Sequence, residues 1–266
     1  MIKIIIRTIL ILLVGYIALC TYIFSIQESL IFFPSRDIRT APRDKNLQDV
    51  SFVTQDGVNL NGWFIDNKSD TTIIFFHGNG GNIFHNQERL TLFNMIGVNA
   101  LLFDYRGYGK SEGSIKHEND LYMDGEAAYQ YVISRGIKPA NIILWGQSLG
   151  GAIAIDTAQN KSLRGIISES TFTSMDDIAR RQFSSIPTSL LLSYHFNNLS
   201  KIEKLNSPFL VIHSEDDEMI DIDNAKQLFE KIKSKKDFLQ TKGSHNGAFS
   251  QSYSLYKEKI EAFLKK

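Results

Sequence analysis

The sequence has a single cysteine, Cys20, and so holds no internal disulfide; stability has to come from packing. It has no excess of either charge, with 29 lysines and arginines against 29 acids, which removes long-range attraction to nucleic acid. Prolines number only 5 in 266 residues, and no repeat or low-complexity segment is visible. Metal-site spacing is also missing: the six histidines show no H-x-x-x-H, and one cysteine cannot build a thiolate zinc cluster. Two phosphate-binding patterns fail on single residues. Gly109-Lys110-Ser111 would need glycine at position 104 to complete a P-loop, and Asp104 stands there. The loop Gly78–Ile83 would need glycine where Ile83 stands to complete G-x-G-x-x-G. No cofactor is implied.

Hydrophobic residues make up 43% and charged residues 22%, enough to fill a sizeable core. The N-terminus has a run, Thr8–Gln27, with no charge at all. As a helix it reaches about 30 Å, the thickness of the hydrocarbon layer. It is longer than the core of a signal peptide, and no A-x-A-like cleavage site follows. Residues 1–27 are therefore read as a retained single-pass membrane anchor, and 28–48 as a polar linker to a domain over 49–266. Lys3 and Arg7 precede the anchor while Arg36, Arg39, Arg43 and Lys45 follow it, so the basic residues choose no side of the membrane.

Beyond the linker, alternation on either side of Asp56-Gly57 predicts a β-hairpin. Short apolar runs then predict buried strands at Thr71–His77, Val98–Asp104 and Asn141–Gly146, and later strands are expected at Leu163–Ser170, Ser207–Ser214 and Lys236–Lys242. Helical spacing falls between them at Asn82–Ile96, Glu118–Ser134, Leu149–Gln159, Asp223–Lys233 and Gly247–Lys265. Strands alternating with helices make an α/β fold with a mostly parallel central sheet and helices on both faces. Residues 171–206 break the rhythm and are expected to form a small lid over one end of the sheet.

Gly146-Gln147-Ser148-Leu149-Gly150 fits G-x-S-x-G between a strand and a helix. Such a turn lifts one serine above the sheet, and a side chain at either glycine would strike the neighbouring strand or helix. Ser148 is the candidate nucleophile. Its hydroxyl needs a base. His245, in the glycine-rich loop before the last helix, is the candidate base; His213 lies within a strand and reads as structural. The acid comes from Glu215, Asp216, Asp217, Glu218 or Asp221, among which spacing does not choose. A tetrahedral oxyanion needs preorganised N–H donors. One is expected from Leu149, and the other from the loop His77–Asn82.

These residues carry a resemblance. "QESLIFFP", "HGNGGN", "FDYRGYGKSEG", "GQSLGG", "SESTFTSMDD", "SPFLVIHSEDDEMI" and "GSHNGAF" follow one another in an order similar to that of the α/β-hydrolase superfamily, most closely its membrane-anchored α/β-hydrolase-domain serine hydrolases. The resemblance spans Gln27 to Phe249. It implies an α/β-hydrolase fold and points to Asp217 as the acid, because His213, Asp217 and Ile220 match H-G-x-x-D-x-x-V, with Ser214 in place of the glycine. It also points to Asn79 as the second oxyanion donor and gives Asp104 and Arg106 no catalytic role. The expected activity is cleavage of a carboxylic ester or thioester on a small acyl substrate, and the apolar lid segment and the anchor suggest a lipid-like acyl chain. A peptidase of the same fold and a non-enzymatic binding protein are the alternatives.

Overall fold

The computed structural model describes residues 1–37, 42 and 44–265. Helix α1 spans Ile2–Ile31 and is solvent-exposed along most of its length. The expected boundary at 27 falls one turn short: Phe32 N still donates to Glu28 O at 2.8 Å, and only then does the chain extend. Pro34 accounts for the stop, since proline biases the residue before it away from the helical region. Nor is the start of the expected linker free. Phe33–Pro34 pairs in parallel with Gly80–Gly81 and ties the end of α1 to the core. Arg39 and Arg43, counted above for topology, lie outside the described residues.

Eight strands form the central sheet: β1 Leu47–Val53, β2 Asn59–Ile65, β3 Thr72–Phe76, β4 Asn99–Phe103, β5 Ile142–Gln147, β6 Gly165–Glu169, β7 Phe209–Ser214 and β8 Lys236–Thr241. Their order is β1-β2-β4-β3-β5-β6-β7-β8. The hairpin β1–β2 is antiparallel, β2 runs antiparallel to β4, and every other pair is parallel. The inner strands β3 to β7 read as short, mostly apolar runs because both faces are covered, whereas the edge strand β8 carries Lys236, Asp237 and Gln240 and is only partly buried. Ile142 and Leu144 of β5 pack beneath α3 (Glu118–Ser134), α4 (Leu149–Thr157) and α8 (Ile222–Lys231). Ile143 and Trp145 point to the other face, against α2 (Gln87–Ile96) and α10 (Tyr253–Leu264). The fold is an α/β-hydrolase fold.

Two expected helices differ in detail. Asn82 caps a short 3-10 turn, Ile83–Asn86, before α2 begins. The last helix is divided into α9 (Ala248–Gln251) and α10 at Ser252, whose backbone leaves helical geometry at φ −111° and ψ 22° while its hydroxyl bonds the Lys242 backbone. Between β6 and β7, residues 171–206 hold three short helices: α5 (Met175–Gln182), α6 (Thr188–Leu191) and α7 (Leu199–Ile202).

Candidate active site

The β5–α4 turn puts Ser148 at φ 53° and ψ −119°, a region that side chains rarely adopt and that costs on the order of 1–3 kcal/mol. Its neighbours hold it there. Ser148 N donates to Glu169 O at 2.8 Å, and Gly151 N donates to Ser148 O at 3.0 Å. The glycines follow from crowding. A Cβ on Gly146 would lie 2.3 Å from Gly150 O, and one on Gly150 would lie 2.1 Å from Phe76 O. Gly151 is equally closed, with Thr171 Oγ1 1.9 Å from where its Cβ would be. Helix α4 thus lies directly against the ends of β3 and β5, and its first turn points at the serine.

The loop between β8 and α9 carries His245. Its Nε2 lies 3.1 Å from Ser148 Oγ and its Nδ1 2.7 Å from Asp217 Oδ2. With the Nδ1 proton held by a carboxylate, Nε2 is left to accept from the hydroxyl. The loop after β7 presents Asp217 with a buried side chain. Its Oδ1 accepts from Met219 N at 3.0 Å and Ile220 N at 2.8 Å, leaving Oδ2 for the imidazole. Burial alone would push this carboxyl up, but the His245 hydrogen bond, the Ile220 N–H and the nearby imidazoles together hold it below the ordinary carboxylate value.

The other four acids of this loop go elsewhere. Glu215 meets Lys242 and Gln240, Asp216 accepts from Gly243 N, Glu218 accepts from His245 N, and Asp221 caps α8. His213 is fully buried, donates from Nε2 to Ile220 O at 2.7 Å, and lies 3.5 Å from Asp217 Oδ2. Burial lowers its pKa, so it stands behind the acid as a neutral ring. Arg106 is engaged with Asp56 and Asp124, away from Ser148. Asp104 is buried, accepts from Ile83 N at 2.8 Å, and is pushed by burial up to about 7.

Asn79 and Leu149 both line the cavity that opens at Ser148, and among the described residues neither backbone N–H has an acceptor. Asn79 is fixed by its other atoms. Its side chain donates to Ile31 O at 2.8 Å, and its carbonyl accepts from Phe33 N at 2.9 Å and Tyr108 Oη at 2.7 Å. The cavity holds about 330 Å³, and among the described residues that line it none is charged. Its walls come from residues 172–192, led by Met175, Ile178 and Phe183, and from the end of α1, led by Ile23, Phe24 and Leu30. Among the described residues no group of three His, Cys, Asp or Glu side chains is placed to hold a metal ion.

Two contributions were not read from the sequence. One is a buried cluster behind the serine: Glu169 accepts from Arg89 at 2.7 Å, Trp145 Nε1 at 2.8 Å and Tyr256 Oη at 2.9 Å, while its own carbonyl takes the Ser148 N–H. These residues are far apart in the chain, and only the sheet brings them together. The other is the wall from α1.

Residues 67–200 match the family model described as serine aminopeptidase, S33. The uncharacterised protein YfhR of Escherichia coli K12 is 30% identical over 261 residues, 93% of this chain and 91% of that one. Human alpha/beta hydrolase domain-containing protein 17B is 33% identical over 196 residues, 73% of this chain and 66% of that one. Among solved structures, the Pyrococcus furiosus esterase Pf2001 superposes with a TM-score of 0.74 at 24% identity, covering 88% of this chain and 98% of the esterase. With a family match over half its length and a relative at 30% identity across nearly all of both chains, the protein belongs to the serine aminopeptidase S33 family of α/β-hydrolases.

Proposed function

We propose that the protein is a serine hydrolase that cleaves carboxylic esters or thioesters through Ser148, His245 and Asp217. The observation that carries this reading is the unbroken chain of contacts from Asp217 Oδ2 through the imidazole to Ser148 Oγ, at 2.7 and 3.1 Å. His245 takes the hydroxyl proton as Ser148 attacks the acyl carbonyl, and Asp217 steadies the imidazolium. The N–H groups of Leu149 and Asn79 receive the oxyanion, each donor being worth roughly 3 kcal/mol. His245 then gives the proton to the departing alcohol or thiol. Water, deprotonated by the same imidazole, frees the acid and restores the serine.

The family description also favours a peptidase reading. An aminopeptidase has to hold a free ammonium group beside the scissile bond, which calls for a carboxylate. Among the described residues that line the cavity at Ser148 none is charged, and this favours an uncharged acyl group. In this reading residues 49–266 are the hydrolase domain and 171–206 its lid. Helix α1 is a retained single-pass anchor: its length and its uncharged apolar run suit a membrane span. Cleaving off the whole helix as a signal sequence would remove one wall of the cavity.

The test is turnover of a short nitrophenyl ester together with labelling by a fluorophosphonate, which requires an activated serine. Ser148→Ala should lower turnover at least about 10³-fold and abolish labelling, with the fold intact. Turnover within tenfold of wild type would refute the assignment. Cleavage of aminoacyl amides in preference to esters would support the peptidase.

A further inference from the structure

We propose that the last turns of α1 form one wall of the acyl-binding pocket, so that the membrane helix itself sets which acyl chains reach Ser148. The proposal rests on the serine-hydrolase reading above and adds its substrate class: an amphiphilic ester or thioester with an extended apolar acyl chain.

Five residues of α1 line the cavity: Ile23, Phe24, Gln27, Leu30 and Ile31. Their spacing puts them on one stripe of the helix. That stripe is attached to the rest of the molecule. Tyr16 Oη donates to Ser185 O at 2.8 Å, Ser193 N donates to Gln27 Oε1 at 2.8 Å, and Tyr194 Oη donates to Glu28 Oε1 at 3.1 Å. At the inner end, Ile31 O accepts from the side chain of Asn79, the expected oxyanion residue. The wall is therefore coupled to both the lid segment and the oxyanion loop.

The pocket's size and chemistry select the occupant. At about 330 Å³ it sits at the small end of ligand pockets, which run from roughly 300 to 1,000 Å³. It has room for an apolar chain, and its described lining residues offer no charged partner for a head group. A polar leaving group has to stay outside, beyond Ser148. Position supports the same occupant. The uncharged run ends at Gln27, so Ile23 and Phe24 sit where the helix would leave the hydrocarbon layer. From Ile23 to Ile31 the stripe extends about 12 Å toward the serine. An acyl chain could follow it from the bilayer edge to the nucleophile without crossing water.

The experiment measures kcat/KM for acetyl, butyryl, octanoyl and dodecanoyl nitrophenyl esters, using the full chain in lipid nanodiscs. Wild type should favour the longer chains, by up to about fourfold per methylene until the pocket is full. Ile23→Trp, which fills the pocket, should lower the dodecanoyl-to-acetyl ratio at least tenfold. Ile11→Trp, on the same helix but outside the cavity, should leave the ratio as in wild type. If fluorophosphonate labelling shows that Ile23→Trp has lost its folded site, Ile23→Ala decides, and it should shift the ratio by severalfold. A ratio unmoved by both Ile23 variants, or a wild type that cleaves acetyl but not octanoyl esters, overturns the proposal and leaves the hydrolase reading standing. A wild type that cleaves no ester and takes no label defeats that reading, and this proposal with it.

Discussion

Adding one methyl group at Gly150 should disable the site from behind. The Cβ of Gly150→Ala would lie 2.1 Å from Phe76 O, 2.5 Å from Phe76 C and 2.5 Å from His77 O. Carbon needs about 3.5 Å from such atoms, so a gap of roughly 1 Å has to open. No side chain can yield, because all three atoms are backbone. Neither element moves freely: β3 is paired on both sides, with β4 and β5, and α4 is wedged against both sheet and loop. Overpacking of this kind costs roughly 1–3 kcal/mol, and the upper end applies here. At roughly 2–4 °C per kcal/mol for a domain of this size, the melting temperature should fall by about 5–10 °C. Activity should fall further. Gly78 and Asn79 follow His77 directly, and a Cβ on Gly78 would already lie 3.7 Å from Ser148 Cβ. Shifting this strand end by about 1 Å moves the proposed oxyanion donor, the Asn79 N–H, relative to the serine, at an expected cost on the order of a hundredfold in kcat. Gly136→Ala is the matched control: its φ is +84° and nothing lies within 4 Å, so it meets backbone strain alone and should keep wild-type kcat. The assay is ester turnover beside thermal unfolding by circular dichroism. Gly150→Ala with wild-type kcat and melting temperature would refute the crowding argument.

Asp217→Asn keeps the size of the side chain and can still accept from Met219 and Ile220 N–H, but it no longer holds the Nδ1 proton. Stopped-assay kcat should drop by roughly 10³–10⁴ with the fold preserved, and a loss under tenfold would remove Asp217 from the triad. Asp104→Asn tests the buried carboxyl near the oxyanion loop. Its pKa, raised by burial from 3.8 to about 7, means that the folded state holds this proton; the stabilisation is complete below about pH 4 and gone above about pH 7. The variant cannot make that gain, so urea midpoints should show it losing ground to wild type as pH falls from 7 toward 4, by at most about 1.4 kcal/mol per pH unit. A difference that stays constant across that range would show Asp104 to be ionised in the folded protein.

The inner strands were legible because a strand covered on both faces is mostly apolar; Glu169 and His213, near the ends of theirs, each find a hydrogen-bond partner. The elbow was legible for a related reason: glycines crowd around one serine where backbone meets backbone, as at Gly146 and Gly150, and where a neighbouring side chain closes in, as Thr171 does on Gly151. The acid loop was not legible from composition, since five carboxylates look alike in a string. What separates them is a turn in which Asp217 Oδ1 takes two N–H groups of its own loop and thereby aims Oδ2 at the imidazole. Spacing carries no trace of that. The wall from α1 was hidden differently. A helix that is apolar all round offers no hydrophobic stripe to distinguish a docked face from a lipid face. Its polar atoms do distinguish them. Tyr16 and Gln27 lie eleven residues apart, three turns on one face, with the buried Cys20 and the pocket-lining Ile23 between them. A helix that only tethers a domain gains nothing by aligning polar groups across three turns, whereas one that packs against protein needs partners for them, here Ser185 and Ser193. Thr8, Thr21 and Ser25 bond carbonyls of their own helix, so it is the alignment of Tyr16 and Gln27, which reach Ser185 and Ser193, that marks the protein-facing side.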